Sequence, residues 1–370
     1  MRSETYGNSR VPDYRLLEQT VRTHLSFPAS LLQMVPLTGD ASNRRYFRLI
    51  VRDGPVSSLI LMQLADPEGF KAAEEAVSEP EVDIHELPFV NVLRHLAGRG
   101  ISVPMLHYYD TVAGLLYLED FGDVTLYQAC EDKDRSRIDH LYSQAIDTLV
   151  GIHLRGTFPA DPHCLAFHRV YNEALFMWEF DHFLEYGVVA RYGKPMCAND
   201  ALPIRESFRM IAQWLASQPH VLTHRDYHSR NLLVQGDRLG VIDFQDALLG
   251  PATYDLSSLL RDSYRALDEE LIENMINRYC AGMCAGLDQN LQATMGFADR
   301  GAFQRLFDWT SIQRNLKAAG RFVYIDRVKG NPNFLEAIPR TLGYVLSTLG
   351  KYPELRPLEQ HLASYLPEWQ

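Results

Sequence analysis

Residues 222–246 read LTHRDYHSRNLLVQGDRLGVIDFQD, and the order of polar side chains in this stretch decides the reading of the chain. Asp226 follows His224 by two, Asn231 follows Asp226 after four intervening residues, and Asp243 closes the apolar run 239–242. Leu232, Leu233 and Val234 read as a short buried strand, 235–238 as a turn around Gly236, and 239–242 as the partner strand. Such a hairpin brings Asn231 and Asp243 to the same end of the pair.

These residue types suit metal-dependent phosphoryl transfer. That chemistry needs one carboxylate to orient the attacking hydroxyl and accept its proton, plus an amide and a second carboxylate to hold magnesium against a triphosphate. Asp226, Asn231 and Asp243 fit those roles in turn. Magnesium is a hard cation that prefers oxygen, so Asn and Asp are suitable ligands where His or Cys would not be. A lone Asp-x4-Asn or His-Arg-Asp is common in surface loops; the strand and turn context makes the combination specific. His224, the other catalytic candidate, is better suited to bracing the loop through a backbone hydrogen bond than to taking part in the chemistry.

The stretch resembles the catalytic segment of the aminoglycoside phosphotransferase and choline kinase superfamily, relatives of protein kinases that phosphorylate small molecules. Downstream, DALLGPATYDL (246–256) is similar to that family's segment after the metal aspartate, where Asp255 starts a helix and ties the catalytic loop together. Upstream, LTGDASNRRYFRL (37–49) looks like the family's first hairpin, whose loop covers the phosphates of ATP, and LLYLEDFGD (115–123) like the strand and linker that hold adenine. The resemblance implies an α+β, bilobal protein-kinase-like fold: a small N-lobe with a five-stranded antiparallel sheet over 13–120, and a larger, mainly helical C-lobe over 121–370. It also implies ATP and Mg2+ as cofactors, with Ser42, Asn43, Arg44, Arg45, Arg48, Glu119 and Phe121 on the nucleotide.

A narrower resemblance runs through GDASNRRYFR, ALFMWEFDHFLEYG (174–187), QRNLKAAGRF (313–322) and LEAIPR. These are similar to segments of bacterial kinases that phosphorylate the anomeric C1 hydroxyl of N-acetylmuramate and N-acetylglucosamine in peptidoglycan recycling. Other acceptors of the superfamily, an aminoglycoside or a choline-like alcohol, stay open as alternatives. So does a pseudokinase, because strand 58–63 (SLILMQ) offers Met62 where kinases place the lysine that holds the α and β phosphates. Departures from protein kinases point to a small-molecule substrate: His228 stands two after the catalytic Asp instead of Lys, Gln245 replaces a Gly, and no Ala-Pro-Glu segment follows.

With Met62 on the strand, another cation must meet the phosphates. Alternation places Arg44 and Arg48 on one strand face with Tyr46, and arginine forks suit phosphate oxygens. Basic residues on strand edges also serve simply to block edge pairing. In the C-terminal half, Glu179 and His182 lie three apart on an aromatic helix over 171–187 and are candidates to face the substrate. Arg314, Lys317 and Arg321 recur at i, i+3 and i+7 on a helix over 310–323. A solvated face explains such a stripe by default; alternatively Arg314 and Lys317 meet the carboxylate of a lactyl sugar. Trp178 and Trp309 are candidates for stacking on a sugar ring or for core packing.

The 370 residues allow two or three core units. A net charge of −11 argues against nucleic acid, which is bound by concentrated positive charge. No run approaches the roughly 20 apolar residues a bilayer span needs, and the first ten residues carry no hydrophobic signal core, so a cytoplasmic protein without membrane partners is expected, more readily a monomer than an oligomer. The five cysteines lack metal spacing and read as reduced thiols. Strands are expected at 34–38, 44–51, 57–64, 105–110 and 114–119, and helices at 14–25, 88–98 and 136–154, with nearly continuous helix after 251.

Overall fold

The computed structural model describes residues 11–25, 27–37, 44–64, 84–131, 134–193, 195–297 and 299–369. Ser42 and Asn43, expected on the nucleotide, lie outside them. The described chain divides into two compact units, one built from residues 11–64 and 103–123 and the other from 84–102 and 124–369.

In the first unit, helix α1 (Tyr14–Thr23) is capped by Asp13, whose carboxylate accepts the Arg15 N–H at 3.0 Å. It is followed by β1 (Ser30–Leu37), β2 (Arg45–Arg52) and β3 (Ser58–Gln63). Helix α2 (Pro88–Gly98) belongs to the second unit, and the chain then returns to the sheet as β4 (Leu106–Asp110) and β5 (Leu115–Glu119). The five strands form one antiparallel sheet in the order β1-β2-β3-β5-β4. Alternation builds its core: Phe47, Leu49 and Val51 from β2, Leu59 and Leu61 from β3, and Leu115 and Tyr117 from β5 pack with Leu17 and Val21 of α1. β1 begins four residues before the expected 34. It is an edge strand with an irregular register at Leu31/Gln33, and only Leu31 is buried in it, so its period-2 signal is weak. Its edge position also explains how Pro36 is accommodated.

The second unit is largely helical. α2 is fixed by its polar residues: Asn91 accepts the Leu165 N–H at 2.7 Å and donates to the His163 carbonyl at 2.9 Å, while His95 bridges Asp161 and the Gly156 carbonyl. Then come α3 (Arg135–Gly151), α4 (Glu173–His182) and α5 (Ala198–Ala216). α3 and α4 each run on into a π-helical turn, over Ile152–Gly156 and Phe183–Ala190. β6 (His220–Thr223) pairs with β9 (Leu248–Pro251), and between them β7 (Leu232–Gln235) and β8 (Arg238–Val241) form the expected hairpin, with Leu232 opposite Val241. Helices α6 (Thr253–Leu260), α7 (Glu269–Gly286), α8 (Arg300–Lys329), α9 (Ile338–Leu349) and α10 (Arg356–Ala363) follow, with shorter helical segments such as Leu126–Ala129 and Gln289–Met295 in the same unit.

The 30-residue α8 is the element that matters most for the site. It starts at Asp299, whose side chain accepts the Ala302 N–H, and stops at Gly330 in the left-handed conformation. Gly320 lets it lie against the π-helical turn after α4: a Cβ there would sit 2.8 Å from the Phe183 Cα. That close approach brings α8 alongside the helix carrying Glu179. No helix among the described residues is long and apolar enough to cross a membrane.

Candidate active site

The loop between β6 and β7 turns sharply after His224, where Arg225 takes a φ of 76°. A non-glycine residue holds such a conformation only when its surroundings fix it, and here Asp255 does so from the first turn of α6. Its fully buried carboxylate accepts the N–H of His224 at 2.6 Å and of Arg225 at 2.9 Å, and His153 Nε2 donates to it at 3.2 Å. His224 points back across the hairpin, its Nε2 donating to the Ile242 carbonyl at 2.8 Å. Farther along, Ser229 donates through N–H and hydroxyl to Asp262 at 2.9 and 2.5 Å.

Asp226, Asn231 and Asp243 meet within this frame. The Asn231 amide donates to the Asp226 carbonyl at 2.9 Å and lies 3.5 Å from Asp243 Oδ2. Because the amide nitrogen is used in this way, Oδ1, the atom a metal would need, is not spent in the bond. Asp243 is exposed, has a φ of 66°, and receives a hydrogen bond from Gln245 Nε2 at 2.9 Å, so the residue in place of the usual glycine restrains the carboxylate. Among the described residues no group of three or more His, Cys, Asp or Glu could cage an ion. One carboxylate and one amide suit magnesium, which keeps most of its coordination for water and phosphate oxygens.

A buried charge network adjoins Asp226. Glu179 on α4 is fully buried; its Oε1 meets Arg225 at 3.1 Å, the Tyr171 hydroxyl at 3.2 Å and Lys317 at 3.8 Å, and its Oε2 accepts from Gln313 at 2.7 Å. Lys317 Nζ also lies 3.6 Å from Asp226 Oδ1. Desolvation pushes the Asp226 carboxyl up, but Lys317, His228, Arg225 and Arg314 outweigh it and hold the group well below the usual carboxylate range. Lys317 moves the opposite way: burial works against its charge, and Asp226, Tyr254 and Glu179 raise it above an ordinary lysine. Burial, with Arg321 and Lys317 nearby, lowers His182 to about 3, leaving a neutral ring at pH 7. Trp178 stacks on that ring at 5.8 Å, and Tyr186 and Tyr324 flank it.

Two expectations need correcting. Arg48 is not a free phosphate clamp: its guanidinium is taken by Asp120 at 2.6 and 3.0 Å and by Asp123 at 2.7 and 2.8 Å. Nor is the Arg314–Lys317 stripe a solvated face, since Arg314 is 4% exposed and the Lys317 side chain 15%. Arg44 directly precedes β2, and the Arg45 guanidinium lies 5.2 Å from the Phe47 ring. Glu119 exchanges bonds with Met105, its backbone N–H donating at 2.8 Å and its carboxylate accepting at 3.1 Å, while Phe121 and Met62 are buried. Trp309 is buried against Trp214 and Tyr352. Tyr171, Gln313 and Asp262 were not singled out from the sequence; each acts through partners 33 to 134 residues away or through an isolated contact without local pattern.

A five-stranded antiparallel sheet joined to a helical unit that carries this loop and hairpin defines a protein-kinase-like phosphotransferase fold. The chain belongs to the phosphotransferase enzyme family, whose model matches residues 33–294. It is 31% identical over 340 residues to the N-acetylmuramate/N-acetylglucosamine kinase of Pseudomonas aeruginosa, covering 91% of this chain and 89% of that protein. It is 29% identical over 333 residues to the protein of the same name from Neisseria meningitidis, covering 90% of each. The fold is similar to choline kinase from Cryptosporidium parvum, with a TM-score of 0.58 at 12% identity over 94% of this chain and 98% of that one. It is likewise similar to ADP-bound aminoglycoside phosphotransferase APH(2'')-Ib, with a TM-score of 0.55 at 14% identity over 90% of this chain and 98% of that one.

Proposed function

We propose that this phosphotransferase moves the γ-phosphoryl group of ATP, with Mg2+, to the anomeric C1 hydroxyl of N-acetylmuramate, N-acetylglucosamine or both, in peptidoglycan recycling. The observation that carries the reading is that relatives bearing this name align over about nine-tenths of the chain, across the stretches that build the site.

Asp226 orients the acceptor hydroxyl and takes its proton. The cations that keep it ionised also make it a weak base, which suits an anomeric hydroxyl, more acidic than an ordinary alcohol; alignment then matters more than basicity. Asn231 and Asp243 hold the magnesium, which when bound neutralises and orients the triphosphate oxygens. Glu179 serves the substrate indirectly, by fixing Arg225 and Lys317 behind Asp226. His182, neutral and stacked with Trp178, offers a ring wall to the sugar. Arg44 and Arg45 remain the candidates for the triphosphate. Three cations around Asp226 disfavour the cationic acceptors of aminoglycoside or choline kinases. The protein acts as a cytoplasmic monomer.

The test is magnesium-dependent ATP turnover with N-acetylmuramate, N-acetylglucosamine, the 1-O-methyl glycoside, an aminoglycoside and choline. The free sugars must be phosphorylated and the methyl glycoside must not; phosphorylation of the methyl glycoside would exclude the anomeric oxygen as acceptor. No turnover with any acceptor would favour an ATP-binding protein without catalysis, the reading that the buried Met62 keeps in play.

A further inference from the structure

Arg314 and Lys317 lie one turn apart on α8, Lys317 Nζ is 3.6 Å from Asp226 Oδ1, and the positive charge of Arg314 also acts on that carboxylate. Arg314 is 4% exposed, yet among the described residues its guanidinium meets only Ser263 Oγ at 3.4 Å and Asn315 Oδ1 at 3.5 Å, two long contacts to neutral groups. A desolvated charge is ordinarily matched by a partner of opposite sign. Lys317 shares Asp226 and Glu179, and Glu179 is already held by Arg225. Neither cation thus has a carboxylate to itself: Arg314 contacts none, and the two that Lys317 approaches lie at 3.6 and 3.8 Å and are shared. The buried Asp262 carboxylate is likewise not a direct partner of either cation, its oxygens going to Ser229 and the Tyr264 N–H. Around the pair, the buried Gln313 Oε1 and Asn315 Nδ2 find no protein partner among the described residues, as is usual where a ligand or water belongs.

We propose that Arg314 and Lys317 form an anion subsite that holds the phosphoryl group as it is transferred. This deepens, and rests on, the sugar-kinase reading. Asp226 takes the acceptor's proton while the acceptor oxygen bonds the γ-phosphorus and the bond from that phosphorus to the β-phosphate oxygen breaks, releasing ADP. The reacting atoms lie within about 3–3.5 Å of one another, so a cation 3.6 Å from Asp226 faces the reacting centre. The carboxylate of N-acetylmuramate hangs from C3, two ring carbons away from C1, and is the poorer match. Asp226 repels the incoming phosphoryl oxygens, and Lys317 and Arg314 offset that repulsion. The chain has His228 two after Asp226, where protein kinases carry a lysine beside the catalytic Asp, and α8 supplies the cation there instead.

Arg314→Met and Lys317→Met are compared with Arg314→Lys and Lys317→Arg in two measurements. The first is kcat and KM on both sugars; the second is calorimetric titration of N-acetylglucosamine and of N-acetylglucosamine 1-phosphate without nucleotide. For the Met variants kcat should fall about 100-fold or more on both sugars alike, with KM within about threefold. Affinity for the 1-phosphate should fall about tenfold or more while that for the free sugar holds, and Lys317→Arg should retain more of both than Lys317→Met. A KM rise confined to N-acetylmuramate would assign the pair to the substrate carboxylate and overturn the inference. Equal losses of sugar and 1-phosphate binding would overturn it as well, leaving a structural role. If the wild type neither phosphorylates nor binds either sugar, the sugar reading fails; titration with inorganic phosphate then decides the subsite, which requires binding by the wild type and about tenfold weaker binding by Arg314→Met. Where circular dichroism shows a Met variant unfolded, the Lys and Arg replacements decide by the same readouts.

Discussion

Replacing Arg48 by Met separates a structural arginine from a nucleotide-binding one. Its fork makes two bonds to Asp120, whose side chain is 5% exposed, and two to Asp123, which is 70% exposed. The exposed half contributes little, about 0–1 kcal/mol. Losing the other half leaves a buried carboxylate with only the Gly122 N–H at 2.8 Å and the Ser58 side chain as donors. Breaking a buried pair costs ~3–5 kcal/mol; the donors that remain place the expected loss near ~2–3 kcal/mol. The pH dependence gives a second check. Burial raises the Asp120 carboxyl, but Arg48, Ser58 and Gly122 together hold it below its ordinary value. In the wild type, Asp120 therefore adds stability above its unfolded pKa near ~3.9, and that stability is lost as pH falls through the lower folded value. Without Arg48, burial raises the folded pKa, so the penalty is present at neutral pH and disappears as the group protonates. Urea denaturation should thus show a deficit at pH 7 that shrinks toward pH 4, with KM for ATP changed by less than about threefold. Unchanged stability with a tenfold higher KM for ATP would refute the reasoning and return Arg48 to the phosphates.

Asp226→Asn should lower kcat by about two to four orders of magnitude with ADP affinity within about twofold, read by coupled assay and calorimetry; near-normal turnover would remove Asp226 from its role. Asp255→Ala strands the His224 and Arg225 N–H groups, each worth ~1–3 kcal/mol when buried unsatisfied, and should lower both urea stability and kcat; an Asn that keeps one acceptor should lose less. Gly320→Ala forces a Cβ to 2.8 Å from the Phe183 backbone and should destabilise by about 1–3 kcal/mol, whereas Gly343→Ala in α9, with nothing within 4 Å, should stabilise by about 0.5–1 kcal/mol. Equal thermal shifts for the two would contradict the close approach of α8.

What was legible in the sequence is what is encoded locally. The β7–β8 hairpin follows from two short apolar runs around a glycine turn, and it places Asn231 beside Asp243 without help from distant residues. β2 through β5 begin and end within about a residue of the expected strands; along β2, buried Phe47, Leu49 and Val51 alternate with half-buried residues, the period-2 signal of a strand. The π-helical turns at Ile152–Gly156 and Phe183–Ala190 were hidden, since one widened turn hardly alters a helical hydrophobic period. Arg48 was misread because its partners lie 72 and 75 residues away.

α8 shows why the charged side of the site resists such reading. From Asp308 to Asn315 every residue is buried, though six of the eight are polar or charged and only Trp309 and Ile312 are apolar, so no solvent face exists for a periodicity argument to find. Thr310 meets Thr253, and Gln313 meets Glu179 from 134 residues away. The same holds for Glu179, where a carboxylate on an aromatic helix signals only that something polar needs it. That requirement is met equally well by a substrate or by a buried arginine. Here Arg225 makes the choice: its positive φ carries Asp226 into position, its side chain must then be buried, and Glu179 supplies the charge that allows it. A polar residue at a core position therefore reports that a site is near, while its partner, and with it the distinction between touching the substrate and bracing the residue that does, is written only in the tertiary structure.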